Sequence, residues 1–217
     1  MNEEIVPHPP IVGMEEWEAR RAELLVEEKA MTRALDRVNA RRRRLPMVLL
    51  DKDYRFQTAA GEVPMHVLFE GRRQLIMYHF MFGPNDTVGC PVCTGYMAGL
   101  GDLSHLARRD TTFCVVGRAP IERILAHAEA TGIRFPFHSS LGSDFNFDLG
   151  VSDERGEGQG VSVFFRLGES VYLTYTTRQR GVELLSGDTA FLDITPYGRQ
   201  QDFEDSPPGW PQRPTYG

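Results

Sequence analysis

The sequence predicts an α/β fold in which a central mixed sheet is flanked by helices, with a long N-terminal helix in front and an extended C-terminal tail behind. Three observations predict it. The run Leu75–Phe82 is nearly all apolar or aromatic, as expected of a strand buried on both faces. A helical stretch, a second apolar strand and a second helix follow it, which is the order of a parallel β-α-β-α unit. Two β-branched, aromatic runs on either side of Gly168 then read as a hairpin, and an antiparallel pair makes the sheet mixed.

The totals agree with a soluble globular chain. Of 217 residues, 41% are hydrophobic and 25% charged, so a core can form without disulfide or metal staples. A net charge of −6 speaks against a general nucleic-acid binder. No apolar run approaches the ~20 residues of a membrane span. The start, Met1-Asn2-Glu3-Glu4, has neither a basic nor an apolar leader region, so the expected compartment is the cytoplasm.

Taken in order, residues 1–13 hold Pro7, Pro9 and Pro10 and read as a loose arm. Met14 to about Arg43 lacks Pro and Gly, and Trp17, Leu24, Met31 and Val38 recur every seven residues, with Leu35 beside them. This is one long amphipathic helix. It is suited to packing against a second copy, and equally to lying across its own domain. Arg41–Arg44 suit a helix C-terminus electrostatically, and Pro46 stops the helix. Residues 47–70 read as short extended segments with a turn at Ala60-Gly61. Tyr96–Arg109 reads as a helix, Thr111–Val116 as a strand, and Pro120–Thr131 as a helix closed by Gly132. Residues 142–151 are loop, and a short helix is expected near Gly181–Leu185. The organisation is thus 1–45 arm and helix, 46–200 domain, 201–217 Pro-rich tail.

The chemistry centres on Cys90-Pro91-Val92-Cys93. Three cysteines are too few for a disulfide scaffold, and in a reducing compartment a close pair is catalytic or metal-binding. This pair falls in the turn between a buried strand and a helix. A helix N-terminus lowers a thiol pKa, and two thiols at this spacing can close a small ring. One can attack a disulfide or a peroxide and the other resolve the intermediate. Structural zinc would need two further ligands. Cys114, the remaining cysteine, lies in an apolar strand pattern and reads as a core residue.

Leu75–Phe82 with Gly89-Cys90-Pro91-Val92-Cys93-Thr94 resembles the strand and loop of the thioredoxin and peroxiredoxin superfamily. More closely, the chain resembles a bacterial family of thioredoxin-like proteins catalogued as a domain of unknown function and named as predicted dithiol-disulfide oxidoreductases. The match is carried by His79-Phe80-Met81-Phe82, the C-x-x-C, Gly142-Ser143-Asp144-Phe145-Asn146, Thr174-Tyr175-Thr176 and Leu192-Asp193-Ile194-Thr195-Pro196. The resemblance implies a thioredoxin-like fold and a thiol–disulfide oxidoreductase. In thioredoxins the first cysteine attacks, which points to Cys90 with Cys93 resolving. In peroxiredoxins the cysteine before Thr attacks, which points to Cys93 and a thiol peroxidase. Two family features are missing. Gln159-Gly160 stands where thioredoxins carry a proline, and Arg155 is the nearest arginine to that strand.

Other candidates read as structural. His79 points opposite Tyr78 and Phe80 if side chains alternate, as a hydrogen-bonded core histidine would. His138 follows Pro136 and could reach the cysteine edge. Asp144, Asn146 and Asp148 have the spacing of a calcium loop, but Arg155 stands where its last acidic ligand belongs, so a turn is expected. No organic cofactor is implied: electrons would come from a thiol donor, and the partner would be that donor or a protein disulfide. A non-catalytic interaction protein with incidental cysteines is the competing class.

Overall fold

Freedom from proline and glycine carries helix α1 from Met14 to Arg42 in the computed structural model, which describes residues 6–215. Glu15 and Glu16 sit in its first turn and Arg41 and Arg42 in its last, matching the helix dipole. Of the expected arm and tail, residues 1–5 and 216–217 lie outside the described residues. The chain forms two compact units. One comprises its two ends, up to Leu45 and from Phe191; the other is Pro46–Ala190. Within the first unit the tail doubles back, bridging Gln201 to Arg213 and setting Tyr197 against Trp210 at 5.4 Å.

The second unit holds the sheet. Its strands are β1 (Val48–Leu49), β2 (Arg55–Thr58), β3 (Gly61–Pro64), β4 (Gln74–His79), β5 (Thr111–Gly117), β6 (Phe137–Ser139), β9 (Gly160–Leu167) and β10 (Ser170–Arg178). A separate two-stranded ribbon is formed by β7 (Ser152–Asp153) and β8 (Gly156–Glu157). The main order is β1-β10-β9-β4-β5-β6-β2-β3. Strands β4, β5 and β6 run parallel, and β9 lies antiparallel against the other edge of β4. Helix α2 (Pro91–Gly99) links β4 to β5, and α3 (Ile121–Thr131) follows β5. The order β10-β9-β4-β5 with these connections is the thioredoxin fold, as the resemblance implied.

Alternation along β4 divides the core in two. Leu75 and Met77 join Cys114, Val116, Phe145 and Phe164 on one face. Tyr78 and Phe80 join Val115, Ile124, Phe137 and the α2 residues Cys93 and Met97 on the other. The strand order thus decides that the cysteine pair packs beside Tyr78 and not beside His79.

Some local elements differ from the sequence reading. The stretch Tyr96–Arg109 is not one helix: α2 ends at Gly99, Gly101 takes a positive φ of 67°, and a 3-10 turn begins at Ser104, whose N–H donates to Asp102 Oδ1 at 2.8 Å. Two glycines and an Asx turn outweigh the helix formers there. Met65–Phe69 is a 3-10 turn between Pro64 and a left-handed Glu70 rather than extended chain. The loop after β6 contains a single helical turn, α4 (Phe145–Asp148), in which buried Asn146 accepts a hydrogen bond from Ser140. Asp148 there accepts from Lys52 at 2.6 Å and Tyr54 at 2.7 Å, a structural use of that carboxylate. Two further one- or two-turn helices follow β10, α5 (Arg180–Glu183) and α6 (Gly187–Leu192).

His79 is wholly buried, as a core histidine. Its Nε2 meets Ser162 Oγ at 2.8 Å, and its ring stacks on Phe145. Burial, with the charge of Arg178, pushes its pKa down to about 3. An unfolded histidine takes up its proton near ~6.5. Between those values the unfolded chain binds the extra proton, so stability falls as pH drops, by at most about 1.4 kcal/mol per pH unit for this group. Denaturant unfolding at several pH values from 7 down to 5 should therefore show a shallower pH dependence in His79→Gln than in the wild type. Equal slopes would contradict a histidine held neutral in the core.

Candidate redox site

Strand β4 hands its chain to the site. Beyond His79 the backbone stays in register, with Phe80 N–H donating to Val116 O at 2.8 Å and Ala119 N–H to Phe82 O at 2.7 Å. The chain then loops out through Gly83–Gly89. Arg123, on α3, holds that loop by donating to Pro84 O at 3.0 Å and Asp86 O at 2.6 Å. Gly89 passes so close to α3 that a Cβ there would lie 2.5 Å from Phe80 Cε1 and 2.8 Å from His127 Nε2. Only glycine fits.

Cys90 then caps α2. Its N–H donates to Met81 O at 3.0 Å, its carbonyl accepts from Thr94 N–H at 3.0 Å, and Pro91 occupies the first turn. Proline is suited to that position because its missing donor would have no helical partner. Thr94 Oγ1 also donates to Cys90 O at 2.9 Å and meets His127 Nε2 at 3.1 Å, while His127 Nδ1 accepts from Gly89 N–H at 3.4 Å. These contacts suit a neutral His127 with its proton on Nε2. Burial lowers its pKa in the same sense. His127 thus ties α3 to both ends of the cysteine turn.

The two thiols differ in setting. Both are free; Cys90 is half-buried and Cys93 buried. Burial pushes the Cys93 thiol up to about 12, partly offset by hydrogen bonds from the Tyr78 hydroxyl and the Met81 backbone, and the Cys90 thiol acts on it directly. Tyr78 is itself 1% exposed and stacks on Tyr96, with ring centroids 5.0 Å apart. Burial raises the Tyr78 pKa, so it stays a hydroxyl that can donate to Cys93. A phenol and a backbone amide beside a buried thiol are the polar groups that favour its thiolate at that depth.

Cys90 borders an open cavity of about 390 Å³ between the Gly83–Pro91 loop and β8. Its far wall carries Glu157, paired to Arg118 at 2.7 Å with side chains only 10% and 18% exposed. Ser152 Oγ donates to the same carboxylate, and Arg118 also lies over the Phe147 ring at 4.3 Å. A larger cavity of about 680 Å³ beside the far end of α2 is lined by neither cysteine nor histidine.

Of the residues singled out from sequence, Cys90 and Cys93 come together. His79, Cys114 and His138 do not join them: His79 and Cys114 belong to the opposite face, and His138, in register with Val116, shares that face. Arg155 is exposed and lines neither cavity, and the arginine behind the Cys90 cavity is Arg118. Tyr78, His127, Arg118 and Glu157 were not singled out. Alternation in β4 could have marked Tyr78 as sharing a face with the helix; the others depend on packing between distant segments. Among the described residues no three His, Cys, Asp or Glu side chains converge as a metal site.

One family model matches residues 6–216, nearly the whole chain, under the description of a bacterial protein of unknown function, DUF899. The chain belongs to this family. No curated protein matches the sequence. Among solved structures, the DUF899 chain is similar to peroxidoxin BcpB of Mycobacterium tuberculosis, at 13% identity over 63% of this chain and 85% of that one, with a TM-score of 0.49. It is similar also to a mutant of PrxQ from Xylella fastidiosa, at 14% identity over 61% and 84%, TM-score 0.48. A third is peroxiredoxin Q of Xanthomonas campestris, at 14% over 62% and 87%, TM-score 0.45. The fold of the DUF899 chain rests on its own strand order and connections.

If the Tyr78 hydroxyl supports the Cys93 thiolate, Tyr78→Phe removes one hydrogen bond of about 0.5–1.5 kcal/mol, roughly a twofold to tenfold effect. Its Cys93 should alkylate slower by that factor at pH 8, and Cys90 should alkylate at the wild-type rate. Unchanged Cys93 reactivity would remove Tyr78 from the site.

Proposed function

We propose that this protein is a thiol–disulfide oxidoreductase in which Cys90 attacks and Cys93 resolves. The carrying observation is the asymmetry of the pair: one half-buried thiol beside an open cavity at a helix N-terminus, and one buried thiol held protonated beneath it. A substrate disulfide can approach Cys90 from the cavity. The Cys90 thiolate forms a mixed disulfide and expels one substrate thiolate, which takes up a proton. Cys93 then loses its proton to the second departing sulfur, attacks Cys90 Sγ and closes the ring, releasing the second thiol. Two electrons have passed to the substrate, and a thiol donor restores the dithiol.

Burial of Cys93 serves this order. A thiol kept neutral does not compete for the incoming disulfide, and its proton is available to the leaving group. The same burial weighs against a peroxidase working through Cys93, because that reaction begins with an accessible thiolate. The partner is a protein disulfide or a thiol donor. A cytoplasmic setting suits a close cysteine pair that works by thiol chemistry rather than as a structural staple; no helix among the described residues is long and apolar enough to cross a membrane.

Thiol–disulfide exchange and peroxide turnover measured on wild type, Cys90→Ser and Cys93→Ser test the proposal. Cys90→Ser should lose exchange activity by roughly a hundredfold or more. Cys93→Ser should accumulate a mixed disulfide on Cys90, visible by mass spectrometry. Equal activity in all three proteins would sink the redox reading of this cysteine pair.

A further inference from the structure

Helix α1 has 29 residues, about 43 Å at 1.5 Å per residue, and none of them is buried. Five of its large apolar side chains form a stripe, while Leu25 and Val26 are exposed off it and Met14 is exposed in the first turn. Trp17, Leu24, Met31 and Val38 stand seven apart, with Leu35 beside them, and their exposure runs from 43% to 67%. A strict seven-residue repeat on a helix of 3.6 residues per turn drifts slowly round the axis, which is the pattern of a left-handed helix pair.

The charges on α1 are divided along its length. Met14–Glu28 carries six glutamates against Arg20 and Arg21, whereas Lys29–Arg44 carries seven basic residues against Asp36 alone. The helix dipole accounts for charge in the first and last turns only. Glu23, Glu27, Glu28, Arg33 and Arg37 lie inside those turns, so the division needs another cause.

We propose that α1 pairs antiparallel with α1 of a second copy of this chain. That arrangement closes stripe upon stripe and lays each acidic half along the partner's basic half. A parallel pair would oppose like halves, and on the seam it would set Arg21 against Arg21 and Glu28 against Glu28. An anionic membrane surface is a poorer occupant, because the acidic half would be repelled along half the helix. The helix is complementary to itself in both pattern and charge.

Sedimentation of the full-length protein over a range of concentrations, at low and high salt, tests this. The expected result is a dimer that weakens as salt screens the charge pairing. Leu24→Glu with Met31→Glu should yield a monomer, its circular dichroism and thiol count unchanged because the altered side chains are exposed. Glu15→Gln, Glu23→Gln and Glu27→Gln combined should raise the dimer dissociation constant roughly tenfold at low salt in the antiparallel pair. In a parallel pair the same changes would relieve repulsion and tighten association. A monomer at every concentration, a dimer indifferent to the stripe variant, or association tightened by the glutamine variant would each overturn the proposal.

Discussion

Strand β4 is hydrogen-bonded along both edges, to parallel β5 on one side and antiparallel β9 on the other, and is covered on both faces. Its neighbour β5 is likewise paired on both edges and buried, so the two form the centre of the sheet. A one-residue slip of β4 would exchange its two faces and place His79 where Tyr78 stands. The site depends on that register. Tyr78 reaches Cys93 because it shares a face with α2, and the Phe80–Phe82 extension delivers the cysteine turn to the C-terminal edge of the parallel strands. Open α/β sheets generally hold their chemistry at this edge.

Burial explains the behaviour of the site better than charge does. Cys93 packs among aromatic rings and methionine, and the groups acting on it are the Tyr78 hydroxyl, the Met81 backbone and the Cys90 thiol. Desolvation therefore sets its acidity first, and the Tyr78 hydroxyl and Met81 backbone moderate it. In the ionic pair nearby, Glu157 accepts from both Arg118 and Ser152. The pair shapes the cavity wall without presenting a free charge to Cys90.

Strong, local signals made much of this legible in the sequence. Eight residues in a row, all apolar or aromatic but His79, marked β4, and absence of Pro and Gly marked α1. Pro120 and Gly132 bracketed α3, and Gly168 located the hairpin. The cysteine pair was legible as a strand-to-helix turn. Boundaries failed where short-range chemistry competes with propensity, as at Gly99–Asp102 and at Pro64–Glu70. The surroundings of the cysteines were illegible for a different reason. His127 lies 37 residues from Cys90 and Glu157 lies 67 residues away. Nothing in either local sequence separates a residue that packs against the turn from one on the outer face of its element.

The hydrogen bonds around Cys90 carry a mechanical consequence. Its N–H is tied to Met81, its carbonyl takes two bonds from Thr94, and the preceding glycine is wedged between Phe80 and His127. The backbone on which the cysteines ride is therefore a stiff frame gripped by strand, helix and loop together. In the proposed cycle, closing and opening a sulfur–sulfur bond on such a frame would be a matter of turning side chains about single bonds. That cycle would run as a pair of rotors on a fixed chassis, and the rest of the fold would not need to register which state they are in.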